Sequence, residues 1–341
     1  MTRIALVAGI LGLTLLGVLL ALSGLDDVAQ AVAAAGWASA AVVAVRAVVL
    51  VAAGIGWYLL FPVSHRLPLR IALLLRFVRE GVNQLLPVGQ VGGDVVGARL
   101  ATFWRMDGAV AGATTIADVA IQAATQAAFA LLGVGLLVWL EGDSAIVRYA
   151  AGGVAVAALL IGAFFVAQAR LGSRLLSAIL RRFGGERIAA GLVDRLWSGL
   201  ARVYAEPRRV AASSLVHMVG WLGGSLEVYV ALHAMGYPVG LAEAVVIESL
   251  GQAVRGAAFA VPGGVGVQEG GFIALCAIFG VPAGPALALS LVKRVPDLVL
   301  GLPGLAVWQV LEGRHALRRD RPSSEGVGAL SAALPARERR G

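Results

Sequence analysis

The chain has 341 residues and a formal net charge of +8, with 59% hydrophobic and 14% charged residues and a mean hydropathy of +0.85. A soluble domain carries about 45–50% apolar and about 25% charged residues, so a water-soluble fold is excluded and the bilayer is the solvent. Of the 28 basic residues all are arginine except Lys293, and their excess over the 20 acids is charge on the inner face of a membrane, not a nucleic-acid footprint; the single cysteine, Cys276, excludes an intrachain disulfide or a cysteine-based metal site.

In chain order, residues 4–22 are uncharged and long enough to span. A cleaved leader is the alternative, but its apolar region would be only about 7–15 residues. Further apolar runs cover 40–61, 109–139, 145–167, 209–234 and 284–311, while 69–102 and 240–280 are apolar but broken by Gly, Pro and charge. The Arg-rich segment 168–209 reads as an amphipathic helix on an anionic lipid surface, or else a solvated linker. The fold class expected is an all-α integral membrane protein, one polytopic domain over 1–312 with about six full spans and two broken helical hairpins. The Arg- and Ser-rich residues 313–341 are expected to be a disordered cytoplasmic tail.

Arginine sets the sidedness. Segment 168–209 holds Arg170, Arg174, Arg181, Arg182, Arg187, Arg195, Arg202, Arg208 and Arg209, whereas the loops around Asp26, Glu141 and residues 280–285 have none. The first is therefore cytoplasmic and the others external, which places both termini inside. Trp37, Trp57, Tyr58, Trp139 and Trp308 fall near span ends, where amphipathic rings prefer the headgroup layer. This parity makes both broken segments hairpins, the first opening from the cytoplasm and the second from outside. Arms of about 15 residues are short for full spans and favour re-entrant hairpins.

The hairpins repeat one another. Pro87, Gly89 and Asp94 recur as Pro262, Gly264 and Glu269 at an offset of 175, with Gly92, Gly93, Gly263 and Gly266 completing glycine-rich turns. The same offset lays the span at 40–61 on 215–236 and that at 109–139 on the last one. Repeat one covers about 40–139 and repeat two about 209–311, in opposite orientations. Inverted repeats with broken helices at mid-membrane characterise many secondary transporters. A purely structural duplication is the alternative.

Charges inside the bilayer cost at least about 2.5–3.5 kcal/mol and need partners or a function. Arg76, Arg79, Glu80 and Asn83 share one helical face next to Gln84, and Glu248, Gln252 and Arg255 repeat the pattern. Arginine forks match phosphate; an internal Arg–Glu lock on each hairpin is the competing reading. Asp94 and Glu269 stand where an acid complements a helix N-terminus, unless a partner such as Arg99 recruits the carboxylate. A polar stripe of Thr115, Asp118, Gln122 and Gln126 has the counterparts Ser290, Lys293 (beside Arg294) and Asp297. Asp118 and Lys293 are expected to pair across the halves, with Asp297 as the rival partner for Lys293. Arg46 and Glu227 look like lone charges that snorkel to the interface. No G-x-x-x-x-G-K-[ST], H-E-x-x-H or G-x-S-x-G occurs, so no enzyme activity, metal or cofactor is expected.

The stretch from Arg79 to Asp94 (REGVNQLLPVGQVGGD) and that from Pro262 to Gly271 (PGGVGVQEGG) resemble the transmembrane, flippase-like domain of lysylphosphatidylglycerol synthases, and within it the stand-alone hopanoid-associated (HpnL-type) membrane proteins. The resemblance covers nearly all of residues 1–312 and implies a bacterial inner-membrane protein acting on lipids, with membrane lipids and lipid-biosynthesis enzymes as partners. The bifunctional synthases carry a soluble aminoacyl-transferase domain after the membrane part. Here about 30 residues follow the last span, too few for an independent domain, so lysyl transfer is not inherited. The function expected is a lipid flippase or transporter, for hopanoids or an anionic phospholipid. The alternatives are a membrane enzyme acting on a lipid phosphate or prenyl carrier, and a non-transporting scaffold of a lipid-synthesis complex.

Overall fold

A computed structural model describes residues 33–86, 91–142, 186–258 and 265–319, together with positions 26, 30, 152, 153, 155 and 159. The helices are α1 (Ala38–Leu59), α2 (Leu69–Leu85), α3 (Gly92–Ala101), α4 (Gly108–Glu141), α5 (Glu186–Tyr204), α6 (Pro207–Ala234), α7 (Leu241–Ala257), α8 (Val267–Ile278) and α9 (Ala283–Arg319). No strand occurs among the described residues. Of these helices α1, α4 and α6 are long and apolar enough to cross a membrane. The apolar run at 284–311 lies within α9. The runs at 4–22 and 145–167, the tail from 320, and the hairpin tips Pro87, Gly89, Pro262, Gly263 and Gly264 lie outside the described residues.

The two broken segments are helix pairs. α2 and α7 have 17 residues each, α3 has 10 and α8 has 12, so the second arm of each is too short to cross about 30 Å of hydrocarbon. Local chemistry sets the ends. Pro68 precedes α2, Pro207 opens α6, and Asp107 caps α4 by accepting from the amides of Ala109 (2.8 Å) and Val110 (3.2 Å). Gly266 enters α8 with φ 81°, a conformation that favours glycine.

Packing follows a pattern. α1 lies along α6, α2 on α9 and α7 on α4; α1 touches α2 as α6 touches α7, and α4 touches α6 as α9 touches α1. Each short arm contacts its own partner and the following long helix, α3 with α2 and α4, α8 with α7 and α9. Trp57, Phe61, Leu75, Val78 and Leu100 fill one core; Val42, Leu232, Ile247, Phe272 and Leu289 fill another. α5 departs from the lipid-surface expectation: its apolar face, Leu200 and Val203, is buried on Ala113, Ala117 and Ile121 of α4. The small alanines of α4 let α5 dock on protein, while Arg195 and Arg202 stay exposed.

Among the described glycines of the hairpins, the closest approach is at Gly93. A Cβ there would lie 2.1 Å from the Arg79 carbonyl oxygen and 2.8 Å from Asn83 Oδ1, whereas Gly135 on α4 has nothing within 4 Å. Gly93→Ala should therefore cost at least about 1–3 kcal/mol, because backbone must move. Gly135→Ala should be neutral or slightly stabilising, through helix propensity. Thermal unfolding of the two detergent-solubilised variants checks the contrast.

Candidate functional site

One face of α2 builds the first half of the site. Arg79 is fully buried; its Nε lies 2.9 Å from Asp94 Oδ1, its Nη2 bonds both Asp94 and Asp118 (2.9 Å to Oδ2), and its Cζ sits 4.6 Å from the Trp57 ring centroid. One guanidinium thus ties α2 to α3 and α4. Asn83 adds a second tie to α3 by accepting the Gly93 amide (2.7 Å). Asp94 stands in the first turn of α3, as expected, but makes no cap hydrogen bond; its carboxylate is engaged by Arg79. Arg99, the partner considered for it, lies away from the cavity and pairs with Glu312 of α9 at 2.7 Å. That hydrogen bond holds the Glu312 carboxyl below its ordinary range.

Asp118 is fully buried on α4. Its Oδ2 accepts from Arg79 and from Gln122 (2.9 Å), with Arg76 Nη1 at 3.7 Å, and its Oδ1 lies 3.0 Å from His217 Nε2 of α6. Arg76 also reaches Glu80 and Gln122, both at 3.3 Å, and Gln84 donates to Glu80 at 2.8 Å.

The second half centres on Glu227 of α6. Arg46 holds it with two bonds, Nε at 2.6 Å and Nη2 at 2.7 Å, and Lys293 Nζ lies 2.7 Å away. Lys293 is also 2.8 Å from Glu248, while Asp297 takes Arg46 at 3.5 Å and Arg255 at 3.8 Å. Arg255 donates to Gln84, and Gln126 donates to the Gln252 carbonyl at 3.0 Å, so both contacts join the halves. Glu269 is buried, caps the Gly266 amide (2.6 Å) as expected and pairs with Arg294 (2.8 Å).

Three expectations are corrected. Asp118 and Lys293 do not pair, because α6 contacts both α4 and α9 and supplies a partner to each, His217 to Asp118 and Glu227 to Lys293. Nor does Lys293 pair with Asp297, which turns to Arg46 and Arg255. Arg46 and Glu227 are not snorkelling charges: α1 lies along α6, which brings them together inside the protein, with Glu227 fully buried.

These groups surround a cavity of ≈ 310 Å³, at the lower end of the about 300–1,000 Å³ of ligand sites. Of the expected site residues, Arg76, Glu80, Asn83, Gln84, Asp94, Gln122, Gln126, Glu248, Gln252 and Arg255 line it; Arg79, Asp118, Lys293 and Asp297 stand behind as partners; Arg99, Glu269 and Arg294 lie elsewhere. His217, Trp221, Glu227 and Arg46 line it as well. The first three recur at i, i+4 and i+10 of α6, a helical spacing readable in advance. Such a wall of arginine forks, carboxylates and carboxamides can bind a charged group by exchanging an internal partner for the ligand.

Comparison with known proteins fits a membrane role. The family model "Lysylphosphatidylglycerol synthase TM region" matches residues 6–304. A "UPF0104 membrane protein" of Methanothermobacter thermautotrophicus is 29% identical over 132 residues, covering 37% of this chain and 39% of that protein. No solved structure matches the chain.

Proposed function

Because the chain belongs to the lysylphosphatidylglycerol synthase transmembrane-region family, we propose that it is a lipid transporter of the cytoplasmic membrane, with the charged cavity as the path of the headgroup. The observation that carries this reading is that α2 and α4 of one half and α6 and α7 of the other line a single polar cavity. Buried charge at that density, in a chain this apolar, is costly to keep without a polar ligand. The halves are read as inverted repeats. In support, α3 and α8 start at Gly92 and Val267, and α4 and α9 at Gly108 and Ala283, each pair 175 residues apart. The contacts also survive exchange of α1–α4 for α6–α9. Two such halves can exchange conformations and open the cavity to either side.

A phosphate-bearing lipid is favoured over a neutral hopanoid, because Arg46, Arg76 and Arg255 line the cavity and their planar forks match phosphate. Both termini are placed in the cytoplasm, and enzymes of lipid synthesis are the partners to seek. Purified protein in liposomes should speed transbilayer movement of fluorescent phosphatidylglycerol without ATP and return it chemically unaltered. An altered lipid would instead assign an enzyme, and no movement of any lipid would leave a scaffold.

The inverted arrangement makes its own prediction. Cysteines placed at Gly89 and at Gly264, with buried Cys276 replaced, should react with impermeant thiol reagents from opposite faces of the membrane. Labelling of both from one face removes the inversion.

A further inference from the structure

Among the described residues the ion pairs of the interior include two connected groups besides the Arg294–Glu269 pair. Around Lys293, three cations (Arg46, Arg255, Lys293) meet three carboxylates (Glu227, Glu248, Asp297), and the charges cancel. Around Asp118, two cations (Arg76, Arg79) meet three carboxylates (Glu80, Asp94, Asp118). Taken together, and among the described residues, the two groups hold five cations and six carboxylates, one negative charge in excess. Net charge in a largely buried cluster is relieved by a change of protonation where a titratable group is in reach.

His217 is that group. It is buried, lines the cavity and touches Asp118 Oδ1 through Nε2 at 3.0 Å. Asp118 accepts from Arg79 and Gln122 on its other oxygen, so it acts as a carboxylate and Nε2 supplies the hydrogen. The exchangeable proton then belongs on Nδ1, which has no hydrogen-bond partner among the described residues. From the surrounding helices, α4 presents Asp118; α2 presents Arg76, Arg79 and Glu80; and α3 presents Asp94 behind Arg79. α1 presents Gly56, where a Cβ would lie 2.6 Å from Nε2, and, on the same cavity, Arg46 of the balanced group. Glu248 of α7 and Lys293 of α9, like Glu227 further along α6, belong to the balanced group.

We propose that His217 is a proton-binding site of the cavity, and that binding of a phosphate group there, on an anionic lipid, is linked to the proton on His217. The linkage rests on reading the cavity as a headgroup path; the proton site does not. A phosphate beside the imidazole favours the imidazolium, and by reciprocity the proton tightens phosphate binding. The proton would thus travel with the anion.

The test uses full-length protein in nanodiscs with 15N-labelled histidine. The His217 ring signals are assigned by their loss in His217→Gln or, if that variant is unstable, by removing His65, His233 and His315. Both ring nitrogens of His217 should carry protons at the acid end of pH 6–8, and added dihexanoylphosphatidylglycerol should keep them protonated to higher pH. Affinity for that lipid should fall up to about tenfold per pH unit over the range where His217 loses its proton, the limit for one linked proton, and should be flat in His217→Gln. Glycerol 3-phosphate should bind more weakly; equal affinity would assign the site to soluble phosphates rather than lipid. A neutral His217 throughout pH 6–8 overturns the proton site. An imidazolium indifferent to bound lipid overturns the linkage. If His217 is protonated but the lipid never binds, the headgroup reading and the linkage fail together while the proton site stands.

Discussion

Glu227→Ala should destabilise the protein by about 3–5 kcal/mol, the cost of stranding buried charge. Its carboxylate is fully buried and takes two bonds from Arg46 and one from Lys293. Removing it leaves one cation on α1 and another on α9 facing each other without the anion between them. Neither has an easy exit: among the described residues Arg46 retains Asp297 at 3.5 Å, and Lys293 retains Glu248. Glu227→Gln should fall between, because an amide oxygen still accepts but brings no charge. The measurement is the thermal midpoint in detergent, with monodispersity on gel filtration. An unchanged midpoint for Glu227→Ala would mean that the triad is not formed.

The exchange of Asp118 for Lys together with Lys293 for Asp should fold no better than either single change. Lys at 118 would face Arg76, Arg79 and His217, and Asp at 293 would face Glu227 and Glu248. The two sites have no partner in common, so the penalties add, each again about 3–5 kcal/mol. Restoration of yield and midpoint by the double exchange would show instead that Asp118 and Lys293 face one another across the halves.

What could be read in advance was whatever depends on neighbours along the chain. The breaks in both hairpins, the polar face of α2 and the capping role of Glu269 all follow from local spacing and local φ/ψ demands. Partner choice did not. Arg46 meets Glu227 across 181 positions and Asp297 across 251. Helical periodicity says which face a residue occupies, but not which helix covers that face. Read alone, Arg46 and Glu227 are single charges on apolar spans, and snorkelling is the cheapest fate for a single charge. Together they form a bidentate pair, which is cheaper still. His217 escaped because it belongs to no catalytic or metal-binding motif. Its place beside Trp221 and Glu227 on α6 was the available signal. For α5 the amphipathic period was correct, but periodicity cannot distinguish a lipid surface from the alanine groove of α4.

The claim that the cavity is the headgroup path is tested most directly by filling it. Gln252 of α7 lines the cavity, bonded to Glu248 at 2.8 Å, and tryptophan there would occupy much of the ≈ 310 Å³. Val48 on α1, 69% exposed and not part of the cavity lining, is the matched control position. In proteoliposomes carrying fluorescent phosphatidylglycerol, quenching from outside should show that Gln252→Trp moves lipid no faster than empty liposomes, while Val48→Trp matches the unmodified protein. Equal rates for all three, with Gln252→Trp folded and monodisperse, would show that lipid does not pass through this cavity.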